Sequence, residues 1–118
     1  NLCVLQRAIG DGPGFAAIKQ RKGPKLQIPQ ISLDALDALP FGPASPALDF
    51  VHLDVEGFED RALLPYLQGL DDSDLPGAIL LETNCREHWQ DDCISRLQAR
   101  GYRAAGATKD NTIFRRSA

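Results

Sequence analysis

Carboxylate side chains gather at the point where an apolar run in the middle of the chain ends. Residues 50–53 read Phe-Val-His-Leu, and Asp54 and Glu56 follow within three positions. A second apolar run, residues 78–81, also ends in an acid, Glu82. In open α/β sheets, ligands bind outside the carboxyl ends of the strands. If the two strands are neighbours, the carboxylates of Asp54 and Glu82 face one crevice, where they can bind a ligand or move a proton.

The next acids of this segment have a simpler explanation. Gly57 permits a sharp turn from strand to helix. Glu56 and Glu59 are then predicted to lie in the first helical turn, where the helix dipole favours negative charge. Capping alone accounts for Glu59 and Asp60, because helix starts are enriched in acids. Asp54 precedes the helix, so we expect it to have a ligand-binding or catalytic role.

The elements that must position these acids alternate between strands and helices. Residues 49–55 form the clearest strand, and their apolar residues lack a clean alternation, which predicts cover on both faces, as in a parallel sheet. Apolar residues step by three and four over residues 57–68, which predicts an amphipathic helix. After a strand at 78–81, a second helix is predicted over residues 86–100, ending before a glycine. Residues 102–115 are typical of a closing β-hairpin.

The N-terminal third is predicted to start with a mostly buried strand at residues 2–9 and a turn at 10–14. Residues 15–18 then return as a short strand. A helix over residues 32–39 is predicted from its leucine spacing, with Ser32 as its N-cap. The whole chain is therefore expected to be one α/β domain with a partial Rossmann-like three-layer sheet, mostly parallel, with a C-terminal antiparallel hairpin.

Length, charge and cysteine content limit the possible functions. The chain has 118 residues, which fits one domain. A net charge of −3 and a pI of about 5.2 give no electrostatic reason to bind nucleic acid or an anionic membrane. No apolar run approaches the roughly 20 residues that span a bilayer, and no signal peptide is expected. The 3 cysteines are expected to be reduced thiols, which favours a cytoplasmic protein.

Two sets of residues raise the question of a metal site. Cys85, His88 and Cys93 do not share one helix face and lack the paired Cys-x-x-Cys units of structural zinc. The strand-end acids offer the oxygen ligands that Mg²⁺ takes, but an isolated acid cluster does not specify a metal. We therefore expect no metal site. His52 lies within the apolar strand and is predicted to be a buried, hydrogen-bonded histidine rather than a catalytic one.

Residues 49–59, Asp-Phe-Val-His-Leu-Asp-Val-Glu-Gly-Phe-Glu, resemble the signature of the FkbM-type methyltransferases. That signature has an acid, two apolar residues, a basic residue, an apolar residue and then D-V-E-G-x-E. His52 stands where a lysine is commoner. Residues 8–14, 31–34 and 78–82 resemble other segments of the family, so the resemblance covers nearly the whole chain.

The resemblance implies a methyltransferase that depends on S-adenosyl-L-methionine and has a Rossmann-like sheet. The implied partner is a small-molecule methyl acceptor, with transfer to a hydroxyl of a small molecule or sugar. In such proteins a glycine-rich loop and a further strand hold the cofactor before this region, so we expect the chain to be truncated at its N-terminus. Residues 10–14 are not expected to be that loop, because no helix follows to meet an anionic group.

Position within the family motif implies roles for individual residues. Asp54 falls near the transferred methyl group, as a base or as a group that orients the substrate or holds a metal, and it is also a cofactor contact. Glu56 and Glu82 are the other catalytic candidates, as contacts of the acceptor. Arg7 and Ala8, at the end of the first strand, are implied to border the adenine pocket.

One alternative from another class stays open. The chain could be a non-catalytic α/β interaction module that keeps the sheet and lacks a cofactor site. Such a module would pair with another chain, or with a second copy of itself, along an exposed sheet edge, because unpaired strand edges favour pairing. Binding of S-adenosylmethionine separates the two interpretations.

Overall fold

Two units make up the chain, Asn1–Ser45 and Pro46–Ala118. The computed structural model describes residues 8–10, 14–18, 22–32 and 48–117. The predicted strand residues 2–7 and helix residues 33–39 lie outside the described residues.

The first unit contains a three-stranded sheet in the order β1-β3-β2. β1 is Ala8–Gly10, β2 is Gly14–Ile18 and β3 is Leu26–Ser32. β3 runs parallel to β1 and antiparallel to β2. The short strand predicted at 15–18 is confirmed as β2, and among the described residues it pairs with β3 rather than with β1.

Strand β3 was not expected from the sequence. Ser32, the predicted N-cap of a helix, is the last residue of β3, and the helix predicted after it lies outside the described residues. Pro29 lies within β3. In the sequence a proline disfavours the prediction of a strand, because its nitrogen cannot donate a hydrogen bond to a neighbouring strand. Among the described residues β1 pairs only with residues 30–32, so Pro29 lies outside that ladder and faces Phe15 of β2 in the register.

The second unit is an α/β structure built on a four-stranded sheet in the order β4-β5-β7-β6. Its strands are β4 (Phe50–Leu53), β5 (Ala78–Glu82), β6 (Tyr102–Ala107) and β7 (Asn111–Arg116). β4 and β5 are parallel, whereas the β5–β7 and β6–β7 pairs are antiparallel. The closing hairpin is confirmed. The expectation of a mostly parallel sheet is wrong for this unit, because the hairpin supplies two of its four strands.

Burial along β4 alternates, which corrects two predictions. Val51 and Leu53 are buried, whereas Phe50 is 50% exposed and His52 is also exposed. Side chains of a strand point alternately to opposite faces, and only one face of β4 joins the core. The strand is therefore not covered on both faces, and His52 is not a buried histidine. An apolar residue at an exposed position, Phe50, concealed the two-residue period.

The core of the second unit lies on one face of the sheet. Val51 of β4 stands opposite Ile79 of β5, and Ile79 stands opposite Phe114 of β7, so the three lie on neighbouring strands of the sheet. All three are at most 6% exposed. The buried side chains of the two helices complete this core: Ala62, Leu63, Tyr66, Leu67, Cys93 and Leu97.

Helix α1 spans Glu59–Gln68 and continues through Pro65, which is exposed. The predicted apolar spacing is confirmed from Ala62 onward. Phe58 is the exception: its ring is 49% exposed, and the Arg61 guanidinium lies 3.8 Å from the ring centroid. The pair is an exposed cation–π contact.

Helix α2 begins later than predicted. In place of one helix over residues 86–100, Arg86–His88 forms a 3-10 turn and α2 spans Cys93–Ala99. Asp92 caps α2 by accepting two backbone hydrogen bonds, which fixes where it starts. Gly101 follows with a φ of +87°, as expected just past a helix end. Neither helix of the described residues has the length and apolar content needed to cross a membrane.

Candidate functional site

Asp54 and Glu82 stand at the carboxyl ends of neighbouring parallel strands. Leu53, the last residue of β4, pairs with Leu81 of β5, so the residue that follows in each chain segment is an acid. The two strands are neighbours and run parallel, which is the condition under which their terminal acids were expected to face one crevice. Parallel pairing points both strand ends to one edge of the sheet, which is the edge where ligands bind in open α/β sheets.

Four acids form what we call the acid cluster: Asp54, Glu56, Glu59 and Glu82. One carboxylate oxygen from each of Asp54, Glu59 and Glu82 lies within 4.8 Å of the other two. Glu56, Glu82 and the thiol of Cys85 form a second group with the same spacing. Glu82 belongs to both groups, so it is the centre of the cluster.

Burial divides the acid cluster into an inner and an outer pair. Glu59 is 0% exposed and Glu82 is 6% exposed, whereas Asp54 and Glu56 are exposed. A buried carboxylate requires hydrogen-bond donors or a proton. Glu59 has donors, whereas the Oε2 of Glu82 is buried with no hydrogen-bond partner among the described residues.

A hydrogen bond with Asp54, together with burial, raises the pKa of Glu82 from 4.5 to about 8. The negative charges of Asp54, Glu56 and Glu59 act in the same direction. Glu82 is therefore protonated at neutral pH, and its carboxylic acid can donate to the Asp54 carboxylate.

The turn that joins β4 to α1 is held by the side chain of Glu59. Glu59 Oε1 accepts hydrogen bonds from the backbone N–H of Val55 at 3.0 Å and of Gly57 at 3.3 Å. Glu56 adopts a φ of +54° and Gly57 a φ of +93°. The prediction that Glu56 lies in the first helical turn is therefore wrong: the left-handed turn delays the helix until Glu59, and Glu56 projects from the loop instead.

Glu59 and Asp60 do more than cap a helix. Glu59 Oε2 accepts a hydrogen bond from Trp89 Nε1 at 2.9 Å. Asp60 Oδ2 accepts from the backbone N–H of Gln90 at 2.7 Å and of Asp91 at 3.1 Å. These bonds tie the segment before α2 to the start of α1. Because Glu59 lies four residues before the core residue Leu63, helical spacing could have placed it on the buried face.

The roles predicted for Arg7 and Ala8 stay predictions. Arg7 lies outside the described residues, and Ala8 belongs to β1 of the first unit. Cys85 is partly buried and borders the acid cluster, and burial, aided by nearby carboxylates, raises the pKa of its thiol. Among the described residues, neither His88 nor Cys93 belongs to a group with metal-ligand spacing.

An open groove of about 330 Å³ lies elsewhere in the second unit. Its lining residues come from the 3-10 turn and the start of α2: Arg86, Trp89, Gln90, Asp91, Asp92 and Ile94. No member of the acid cluster lines it. Trp89 is the connection between the two regions, since it lines the groove and donates to Glu59.

The chain matches no protein-family model, no curated protein and no solved structure. The geometry of the strand-end acids and the residues of the motif at 49–59 are therefore the features that bear on its function.

Proposed function

We propose that the chain is the C-terminal part of a methyltransferase domain of the FkbM type that uses S-adenosyl-L-methionine. The acceptor is proposed to be a hydroxyl group of a small molecule or sugar. One observation carries this proposal: Asp54 and Glu82 meet at the carboxyl ends of two adjacent parallel strands. The complete domain is proposed to have the three-layer, Rossmann-like sheet of such enzymes.

The local fold of the motif supports the proposal. Residues 49–59 form a strand, a left-handed turn and the first residue of a helix. The glycine of the motif, Gly57, has a φ of +93°, and the final acid, Glu59, binds the turn through two backbone N–H groups. The glycine and the final acid of the motif's G-x-E portion therefore have a structural role, which is to shape and hold the turn. Asp54 and Glu56 remain exposed and available for a ligand.

The chemistry of the acid cluster fits the proposed cofactor. S-adenosylmethionine supplies an activated methyl group on a positively charged sulfur, and carboxylates stabilise a positive charge. Asp54 is proposed to contact the cofactor. Since the methyl group is already activated, the protein has to align the acceptor and take up its proton.

Each acid then has a defined task. Asp54 is exposed at the strand end, so its carboxylate can accept the proton of a bound hydroxyl. Glu82 is buried behind it and positions Asp54 through their hydrogen bond. Glu56 projects from the turn and is proposed to bind the acceptor.

Calorimetric titration of S-adenosylmethionine into the chain tests this function. We expect a dissociation constant in the micromolar range, weakened at least about tenfold by Asp54→Asn. Glu87→Gln is the matched control, because Glu87 is an exposed acid outside the cluster. A second sample is extended at its N-terminus by the residues encoded upstream of Asn1, where the cofactor loop is proposed to lie. If neither sample binds millimolar cofactor, the proposal is wrong.

The position of β4 favours a second candidate, a non-catalytic interaction module. Among the described residues β4 pairs with β5 only, and it carries the half-exposed Phe50. An unpaired strand edge is a template for pairing with another chain or with a second copy. Sedimentation at increasing concentration would show self-association, and replacing Phe50 with lysine would abolish it.

A further inference from the structure

The acid cluster contains a buried carboxylate oxygen that the described residues leave unpaired. Only 6% of the surface of Glu82 is exposed, and its Oε2 has no hydrogen-bond partner among the described residues. Buried polar atoms in proteins nearly always have a partner, so such an atom requires a specific explanation. The oxygen lies among the other acids of the cluster, close to Asp54 and Glu59.

The charge around Glu82 is uncompensated. The ion pairs of the described residues use Asp60, Asp72, Glu87 and Asp91, and none uses a member of the acid cluster. The nearest charges to Glu82 are the carboxylates of the other three members. Several carboxylates that converge without a basic partner are stabilised by a cation.

The spacing of the oxygens fits one divalent ion. The oxygens of Asp54, Glu59 and Glu82 all lie within 4.8 Å of one another. Two ligands on opposite sides of an ion lie about 4.2 Å apart for Mg²⁺ and about 4.6–5.2 Å apart for Ca²⁺, because the bonds are about 2.1 Å and about 2.3–2.6 Å long. The cluster is therefore compact enough for one ion to contact all three oxygens once they close around it.

The lone pairs of the three acids allow this arrangement. Asp54 is exposed and keeps a free face. Glu59 Oε2 accepts one hydrogen bond, from Trp89, and a carboxylate oxygen has two lone pairs. The backbone N–H groups of Val55 and Gly57 bind the other oxygen of Glu59, which fixes the orientation of this carboxylate. Such support of a ligand by hydrogen bonds is usual in metal sites.

We propose that the acid cluster binds one hard divalent cation, such as Mg²⁺, Mn²⁺ or Ca²⁺, through Asp54, Glu59 and Glu82. The all-oxygen group is preferred to the group of Glu56, Glu82 and Cys85, because hard cations favour oxygen and a thiolate favours zinc. The site shares Asp54 and Glu82 with the proposed methyl transfer. Its test needs neither cofactor nor acceptor, so either proposal can fail without the other.

Titration of Mn²⁺ into the EDTA-treated chain tests the site. Calorimetry and the loss of the free Mn²⁺ electron paramagnetic resonance signal report binding directly, with no cofactor or activity needed. We expect one ion per chain. Glu82→Gln and Asp54→Asn should each weaken the affinity at least about tenfold, while Glu87→Gln should leave it unchanged. Mg²⁺ and Ca²⁺ should compete with Mn²⁺.

Two variants and a zinc titration keep the result decisive. Circular dichroism checks that each variant folds, and Asp54→Asn tests the site at an exposed position if Glu82→Gln unfolds the chain. No binding of Mn²⁺ would overturn the proposal, and so would binding that both variants leave unchanged. Binding of Zn²⁺ alone, abolished by Cys85→Ser, would also overturn it, because the ligands would then be the other group. None of these results affects the cofactor titration.

Discussion

Trp89 Nε1 lies 2.9 Å from Glu59 Oε2 and donates a hydrogen bond to this fully buried carboxylate. The bond joins residues 30 positions apart in sequence. It connects the start of α1 to the segment before α2, and the same carboxylate holds the turn that presents Asp54 and Glu56. One side chain thus links the stability of the second unit to the shape of the candidate site.

Replacing Glu59 with glutamine should destabilise the chain by about 1–3 kcal/mol. The amide has one acceptor oxygen, so it cannot serve the backbone donors of the turn and the indole N–H of Trp89 together. Urea unfolding measures the loss, and Glu87→Gln, at an exposed position, should change stability by less than about 0.5 kcal/mol. Equal stability of the Glu59 and Glu87 variants would show that the buried network contributes nothing.

Replacing Gly57 with alanine should be costly for two reasons. Gly57 has a φ of +93°, a conformation that side chains disfavour, and a Cβ there would lie 2.9 Å from the Cβ of His88. We expect a loss of about 1–3 kcal/mol in the free energy of unfolding. Gly69→Ala is the matched control, because Gly69 has a φ of −78° and its added Cβ would make ordinary contacts at 3.6 Å. Thermal melts of both variants make the comparison, and a Gly57 variant as stable as the Gly69 variant would contradict it.

The central strand pair could be predicted because its signals are local. Two runs of four mainly apolar residues, each ended by an acid, give adjacent parallel strands that bring Asp54 and Glu82 together. The hairpin and the buried face of α1 follow from turn residues and from helical spacing in the same way. These features depend on residues close in sequence, so a single sequence contains them.

Features that depend on distant contacts could not be predicted. Asp60 binds the backbone at Gln90 and Asp91, which holds the chain out of a helix until Asp92 caps α2. Nothing near Asp60 in the sequence indicates that partner. The exposure of His52 likewise depends on which elements cover the sheet, not on the strand itself.

Arg100 is another residue with a structural role that sequence spacing did not reveal. Its guanidinium donates to the backbone carbonyls of Leu67 and Leu70 at the end of α1 and to Asp72 Oδ1, at 2.9–3.0 Å. A lysine has one ammonium group and cannot reach the three acceptors at once. Arg100→Lys should therefore cost about 1–2 kcal/mol.

Denaturant titration of Arg100→Lys beside Arg103→Lys checks this expectation. Arg103 is an exposed residue of β6, so its replacement should have an effect under about 0.5 kcal/mol. If the two variants unfold at the same urea concentration, the carbonyl contacts of Arg100 are not stabilising.

The raised pKa of Glu82 predicts how stability depends on pH. The folded-state pKa of Glu82 is about 8, raised from its ordinary value of 4.5. Between these pH values the folded chain holds a proton that the unfolded chain has released, so a rise in pH favours unfolding. The contribution of this group is complete below pH 4.5 and is lost as pH rises through about 8. The fall is at most about 1.4 kcal/mol per pH unit.

Glu82→Gln isolates this contribution, because its amide can donate to Asp54 and cannot ionise. We expect the stability of the variant, relative to the unchanged chain, to increase from pH 5 to pH 8 when both are unfolded by urea in EDTA. EDTA removes divalent cations, which would otherwise stabilise the ionised cluster. Asp54→Asn should lower the pKa of Glu82 and flatten the same dependence, since it removes the largest cause of the shift. Parallel pH profiles for all three proteins would mean that Glu82 is already ionised in the fold.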